Sequence, residues 1–187
     1  MTAWQYNIVG VAGYKIPVIF MDTNLKENNE QDRNITNWLY GGDSKYRLCQ
    51  EIVLGIGGVR ILEEIGYHKI KKYHMNEGHS SLLILELLRK ERGGEKKISE
   101  KVHNIVRSKC IFTTHTPLPA GHDRFPMSMV KGALKNMISS EEIDAMNYHE
   151  TLNLTHLAMD YSQYINGVAK KHGEISRKMF PGHLIDS

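Results

Sequence analysis

Two short strands read from the sequence constrain this chain more than anything else in it. Ile70 to Met75 and Cys110 to Thr113 are each too brief for a helix, and each breaks off into a polar turn, Asn76-Glu77-Gly78-His79 after the first and Thr114-His115-Thr116 after the second. Helical patterns lie between them: an almost wholly apolar stretch from Ser80 to Arg92 stopped by Gly93-Gly94, then Ile98, Val102 and Ile105 at helical spacing. Strands joined by such crossovers pair in parallel, so the expectation is an α/β fold, a parallel sheet flanked by helices. Open sheets of this kind bind ligands beyond the carboxyl ends of their strands. The turns 76–79 and 114–116 therefore mark the edge where a site belongs, and Asp22, which ends an earlier apolar run, is assigned to the same edge.

The flanking elements are read the same way. Tyr6 to Ala12 and Lys15 to Met21 form two strands separated by Gly13-Tyr14, and the polar stretch Asn24 to Asn37 is a loop. Asp43 or Ser44 caps a long helix reaching about Gly66, with Leu48, Ile52, Ile56, Val59 and Leu62 on one face. Its Gly55-Ile56-Gly57-Gly58 is no dinucleotide fingerprint, which would follow a strand and open a helix; glycines inside an apolar helical pattern serve close packing of a neighbour. The prolines of His115-Thr116-Pro117-Leu118-Pro119 end the second strand, Pro126 suits a first helical position, and Ser139 with Glu142 forms a capping box. Leu154, Leu157, Ala158, Tyr161, Ile165 and Val168 predict a long helix from about Thr151 to Lys171.

Composition removes several classes of function. The 187 residues carry 24 Lys+Arg against 21 Asp+Glu, a net charge of +3, and 41% are hydrophobic. Lys96, Lys97, Lys101, Arg107 and Lys109 alternate with Glu95 and Glu100, which describes a solvated helix face and argues against nucleic acid. No apolar stretch reaches membrane-spanning length, no secretory signal opens the chain, and Cys49 and Cys110 are the only cysteines. A single cytoplasmic unit over 1–187, with no membrane association, is expected.

Ten histidines need a reason. His74, Glu77 and His79 invite zinc, but the two histidines straddle a turn and share no helical face, and His115 as a third ligand has no support in the spacing. No metal site is expected. Asn76, His79, His115 and Asp43 supply the donors and acceptors that neutral sugar hydroxyls need. The alternative is that Asn76 and His79 only cap the helix at Ser80. Arg47, Gln50 and Glu51, within one helical turn, are read as a solvated or interface salt link.

Four ordered strings carry a resemblance: Leu39-Tyr40-Gly41-Gly42-Asp43; Arg47-Leu48-Cys49-Gln50-Glu51 running on through Gly58-Val59-Arg60; His74-Met75-Asn76-Glu77-Gly78-His79-Ser80; and Thr113-Thr114-His115-Thr116 through Gly121-His122-Asp123-Arg124-Phe125-Pro126. Ile165 to Glu174 extends them. Together they resemble the glycogen (α-glucan) phosphorylase family in its shorter prokaryotic and archaeal branch. The resemblance implies a Rossmann-like sheet that is part of the N-terminal domain of a GT-B glycosyltransferase. It also implies a reaction in which phosphate cleaves the terminal α-1,4 bond of a glucan to give glucose 1-phosphate with retention. The residue matching His115 contacts the glucosyl unit and is the catalytic candidate. Asp43, on a loop at the mouth, with Asn76, His79 and Thr116, are substrate-binding candidates.

In that family pyridoxal phosphate is held by a lysine of the C-terminal domain. The motifs for that domain and for the glycine-rich phosphate-facing segment are not in this sequence, so the chain is expected to be an internal piece of the N-terminal domain. It is expected to bind no cofactor and to be inactive alone, with the missing C-terminal domain, an α-1,4-glucan and phosphate as partners and a homo-oligomer as a further option. A free-standing carbohydrate-binding or assembly module, or more remotely a metal-dependent hydrolase, are the rival readings.

Overall fold

The structure is a computed structural model that describes residues 1–187 except Tyr40, Lys96, Pro117, Pro119, Ala120, Ala145, Asn147, Tyr148 and His149. Pro117 and Pro119 of the second turn, Tyr40 of the glycine string and Lys96 of the charged face thus lie outside the described residues.

A three-stranded, fully parallel sheet organises the chain in the order β3 (Tyr73–Asn76), β4 (Cys110–Thr114), β7 (Tyr164–Gly167). Register explains why these short runs pair. Met75, Phe112 and Ile165 stand side by side and fill one buried row, while Asn76, Thr113 and Asn166 form a polar row at the carboxyl ends. The strand-to-strand crossover from β3 to β4 is made by α4 (Leu83–Arg92) and α5 (Glu100–Lys109). Helix α4 is buried without a break from Leu83 to Leu88. Its one charged residue in that run, Glu86, is fully buried and held by Arg60 at 2.7 Å and Arg89 at 2.5 Å.

The glycine-centred helix forms as read, with one modification. It comprises α2 (Ser44–Ile52), a π-helical turn over Val53–Gly57, and α3 (Gly58–Glu64). Gly55 is there for contact: a Cβ at that position would lie 2.7 Å from the backbone nitrogen of Leu83 and 2.8 Å from the carbonyl carbon of Leu82. The wide turn brings this backbone against the start of the apolar helix stretch, which is the packing role its sequence suggests.

Four expectations need correction. β1 (Thr2–Val9) and β2 (Lys15–Asp22) make a separate antiparallel hairpin, so Asp22 does not lie at the edge of the parallel sheet; its carboxylate accepts from the N–H of Asn24 at 2.8 Å. The loop 24–37 contains a one-turn helix, α1 (Glu30–Arg33), capped by Asn29. Pro126 ends the short strand β5 (Arg124–Pro126) and immediately precedes α6 (Met127–Leu134) instead of opening it. The helix predicted over 151–171 is three elements: β6 (Thr151–Asn153), α8 (Leu154–Asp160) and β7. Asn153 starts α8 by accepting from the N–H groups of Thr155 and His156, and the helical period stops at Asp160 because Ile165 completes the buried sheet row. β6 pairs antiparallel with β5.

The Ser139–Glu142 box forms as read, with the Glu142 carboxylate accepting from the Ser139 N–H at 2.9 Å and hydroxyl at 2.8 Å, ahead of α7 (Ser140–Asp144). Helix α9 (Lys170–Met179) packs back on β7, where a Cβ on Gly167 would lie 2.5 Å from the backbone nitrogen of Gly173. No helix among the described residues is long and apolar enough to cross a membrane.

Candidate functional site

Strands β3 and β4 release their chains at adjacent points, so the two turns singled out in the sequence meet. The N–H of Glu77 donates to the carbonyl of Thr113 at 2.9 Å, which extends the ladder one residue past β3. The Glu77 side chain turns back under the neighbouring turn, and its Oε2 accepts from the backbone N–H of His115 at 2.8 Å and from the Thr116 hydroxyl at 2.8 Å. The carbonyl of Thr114 accepts from the N–H of Val168 at 3.1 Å. The peptide units around His115 are thereby tied to β3 on one side and to the segment after β7 on the other, while the His115 side chain stays exposed. Below this turn a polar chain crosses the sheet, from His74 Nε2 to Thr113 Oγ1 at 2.7 Å and from that hydroxyl to Asn166 Oδ1 at 2.8 Å.

The second part of the site comes from α2 and from the stretch preceding β5. One guanidinium nitrogen of Arg47, Nη2, lies 2.7 Å from Asp123 Oδ2, 3.1 Å from Glu51 Oε1 and 3.4 Å from His79 Nδ1. His79 Nδ1 is itself 3.4 Å from Asp123 and 3.8 Å from Glu51. Burial pushes the Glu51 carboxyl up to about 7, against the His79 and Arg47 contacts that favour its charge. Hydrogen bonding to Asp123 and then to Glu51 raises His79 to about 9, and the same His79 bond, helped by Arg47, holds Asp123 well below the usual carboxylate range. Arg47 is charged, the contacts favour protonated His79 and ionised Asp123, and burial pushes Glu51 toward its neutral form, so the cluster both donates and accepts.

Glu51, His79 and Asp123 have ligand atoms within 4.8 Å of one another and so have the composition of a metal site. The Arg47 nitrogen is in contact with all three, so a guanidinium already stands among these ligand atoms. His74, the other histidine of the zinc reading, faces Thr113 instead.

The salt link read for Arg47 and Glu51 forms at 3.1 Å, but it is not solvated and Gln50 takes no part in it. Glu51 is 2% exposed, and Arg47 reaches across the fold to Asp123; Gln50 donates to the carbonyls of Ile35 at 3.0 Å and Trp38 at 2.7 Å, pinning the loop before α2. The capping alternative for Asn76 and His79 fails. A 3₁₀ turn at Gly78–Ser80 intervenes, α4 begins later, and its N-cap Leu82 has no side-chain cap.

The structure thus brings together Asn76, His79, His115 and Thr116 around the ends of β3 and β4, with Asn76 exposed on the polar row. Asp43 stands apart at the start of α2, where its carboxylate accepts from the Tyr46 N–H at 2.9 Å; it lines a depression shared with Asp32, Lys45 and Cys49. Sequence reasoning missed Asp123, and it weighed Glu77 only as a zinc ligand, not as the acceptor for the His115 turn. Glu51 carried a signal, since it lies three residues after Leu48 and beside Ile52 on the apolar face of α2. Asp123 carried none, because only the fold brings it to Arg47.

No protein-family model matches the chain. Curated relatives do match it, three of which follow. Glycogen phosphorylase of Mycobacterium tuberculosis is 35% identical over 186 residues, covering 89% of this chain and 21% of the relative. Maltodextrin phosphorylase of Thermococcus litoralis is 32% identical over 170 residues, covering 89% and 20%. Glycogen phosphorylase of Aquifex aeolicus is 32% identical over 191 residues, covering 95% and 26%. The chain spans about a fifth to a quarter of the length of these relatives. Each match takes in nearly all of this chain, including both strand-end turns and the Arg47 cluster, and on that ground the chain belongs to the glycogen/α-glucan phosphorylase family.

Proposed function

We propose that this chain forms the glucan-side part of an α-glucan phosphorylase, within the N-terminal domain of a GT-B glycosyltransferase. The reaction is transfer of the terminal glucosyl unit of an α-1,4-glucan to phosphate, giving glucose 1-phosphate. One observation carries the reading: two turns with family-like sequences converge at the carboxyl ends of adjacent parallel strands, and the exposed His115 is held there by the peptide that precedes it, bonded at both its N–H and its carbonyl, and by the Thr116 hydroxyl that follows.

In this reading His115 is the catalytic residue of the chain, and Asn76, His79, Thr116 and Asp43 contribute to substrate binding. A glucosyl group departing its glycosidic bond becomes oxocarbenium-like, and positioned dipoles help only if they need not reorganise as that charge builds. The Glu77 collar supplies such rigidity at His115. The Arg47 cluster fixes the orientation of His79.

Pyridoxal phosphate, implied by the family, requires a lysine sheltered enough to hold an imine. Every described lysine is exposed except Lys109, and Lys109 is paired with Glu91. The described residues do not fit that group, so the proposal assigns it to another part of the complete enzyme, and no step here is routed through it.

The test is to combine the chain with the remaining phosphorylase sequence and incubate it with maltoheptaose and inorganic phosphate. Glucose 1-phosphate that forms only when both parts and phosphate are present is the expected result. Sugar binding without turnover would favour a carbohydrate-binding module, and phosphate-independent release of glucose would favour a hydrolase.

A further inference from the structure

Glu77 adopts a backbone that side chains rarely take. Its φ of 72° with ψ of 171° lies in a region otherwise used by glycine, although a glycine is its immediate neighbour in the chain. It is 8% exposed, and it accepts two hydrogen bonds on a single oxygen, Oε2. Such a conformation persists only where the surroundings over-determine it, and such residues cluster at functional sites.

The geometry serves one purpose. The ladder bond from the Glu77 N–H to Thr113 fixes where the residue starts, and the left-handed turn sends its side chain beneath the next strand's exit instead of out to solvent. There the carboxylate meets the backbone N–H of His115 and the side-chain hydroxyl of Thr116, from the two residues that share the His115 carbonyl's peptide. We propose that Glu77 is the positioning residue of the His115 turn, fixing the peptide that carries the catalytic candidate without itself touching substrate. The proposal rests on the glucosyl-transfer reading for its functional consequence, while its structural content stands apart from it.

A carboxylate suits the task better than a neutral acceptor. Bonds to an ionised oxygen are shorter and stronger than those between neutral groups, and one oxygen can hold both donors at 2.8 Å. Glu77 is buried, whereas the His115 side chain is exposed.

Amide hydrogen exchange followed by NMR on the full chain tests the structural half. Glu77→Gly removes the carboxylate and relieves the backbone strain together, so global stability changes little while the turn is released. The expected result is exchange at the His115 amide about 10- to 100-fold faster, the range of one lost bond to a charged acceptor. Sheet amides of β3, β4 and β7 keep their protection. An unchanged His115 rate in a folded variant overturns the proposal. Should the glycine variant lose sheet protection, Glu77→Gln decides: its weaker amide acceptor is expected to speed His115 exchange by about three- to tenfold, and no change overturns the proposal.

The functional half is read in the complete phosphorylase. Glu77→Gly is expected to lower kcat with little change in KM for phosphate, and Glu77→Gln to restore much of the loss. If His115→Ala slows turnover but Glu77→Gly does not, the positioning role is overturned. If Glu77→Gly frees the His115 amide but His115→Ala turns over normally, the glucosyl-transfer reading fails and the structural assignment of Glu77 stands.

Discussion

Replacing Arg47 with methionine isolates the charge that holds the cluster together, because methionine keeps much of the aliphatic stem. The loss follows from burial. Glu51 is 2% exposed, Arg47 17% and Asp123 30%, so removal of the guanidinium strands one nearly buried carboxyl and one that water partly reaches. Breaking a fully buried ion pair costs about 3 to 5 kcal/mol, and the partial exposure of Asp123, with His79 remaining as a neighbour, reduces this to about 2 kcal/mol. For a chain of this size that is a fall in Tm of about 4 to 8 °C. The loss depends on pH in a defined direction. At about pH 8 Glu51 is mostly ionised and the full penalty applies, whereas at about pH 5 it is protonated and much of the penalty disappears. Thermal unfolding by circular dichroism at the two pH values measures both terms. A variant as stable as the parent at about pH 8, or one that loses more at about pH 5, would refute the assignment of Arg47 as a cation of a buried cluster.

Three further outcomes follow from the same structure. Gly55→Ala drives a methyl into the backbone of Leu82 and Leu83 and is expected to cost about 1 to 3 kcal/mol, while Gly58→Ala, with open space around its Cβ, is expected to stabilise by about 0.5 to 1 kcal/mol; chemical denaturation measures both. The parent's stability is expected to fall on both sides of a maximum at mildly acid pH. Glu51 and His79 have raised folded-state pKa values, so their contributions are complete below about 4.5 and 6.5 and are lost as pH rises through about 7 and 9; Asp123, lowered from 3.8, contributes above that value and is lost on acidification. In Glu51→Gln the first of the two alkaline losses is expected to vanish from the urea-unfolding profile, and its persistence would assign that loss to another group.

Two strands of the parallel sheet, β3 and β4, were legible because they carry their own signals: runs too short for helices, followed by polar turns. β7 was not, since Ile165 satisfies the helical period set by Leu154, Leu157 and Tyr161 as well as it satisfies a strand. Only the vacancy beside Phe112 in the sheet row decides between them, and that is a tertiary fact. The hairpin was recognised as two strands, but nothing local shows that it pairs only with itself, so Asp22 was placed at the wrong edge. At the site, the turns 76–79 and 114–116 could be read from residue type. The bonds that make them one unit could not, because the Glu77 carboxylate and the Arg47 guanidinium meet partners 38 and 76 residues away in sequence.

The measurement that bears most directly on the central claim compares wild type with His115→Ala in the assembled phosphorylase, following glucose 1-phosphate release from maltoheptaose alongside thermal unfolding of each protein. The His115 side chain is exposed and its turn is held through the backbone, so the substitution removes the proposed sugar contact without removing what holds the turn. The account predicts turnover lowered about tenfold to a thousandfold, the range for one lost transition-state contact, with Tm unchanged. Normal turnover, or a variant that unfolds, would contradict the assignment of the His115 turn as the glucosyl site.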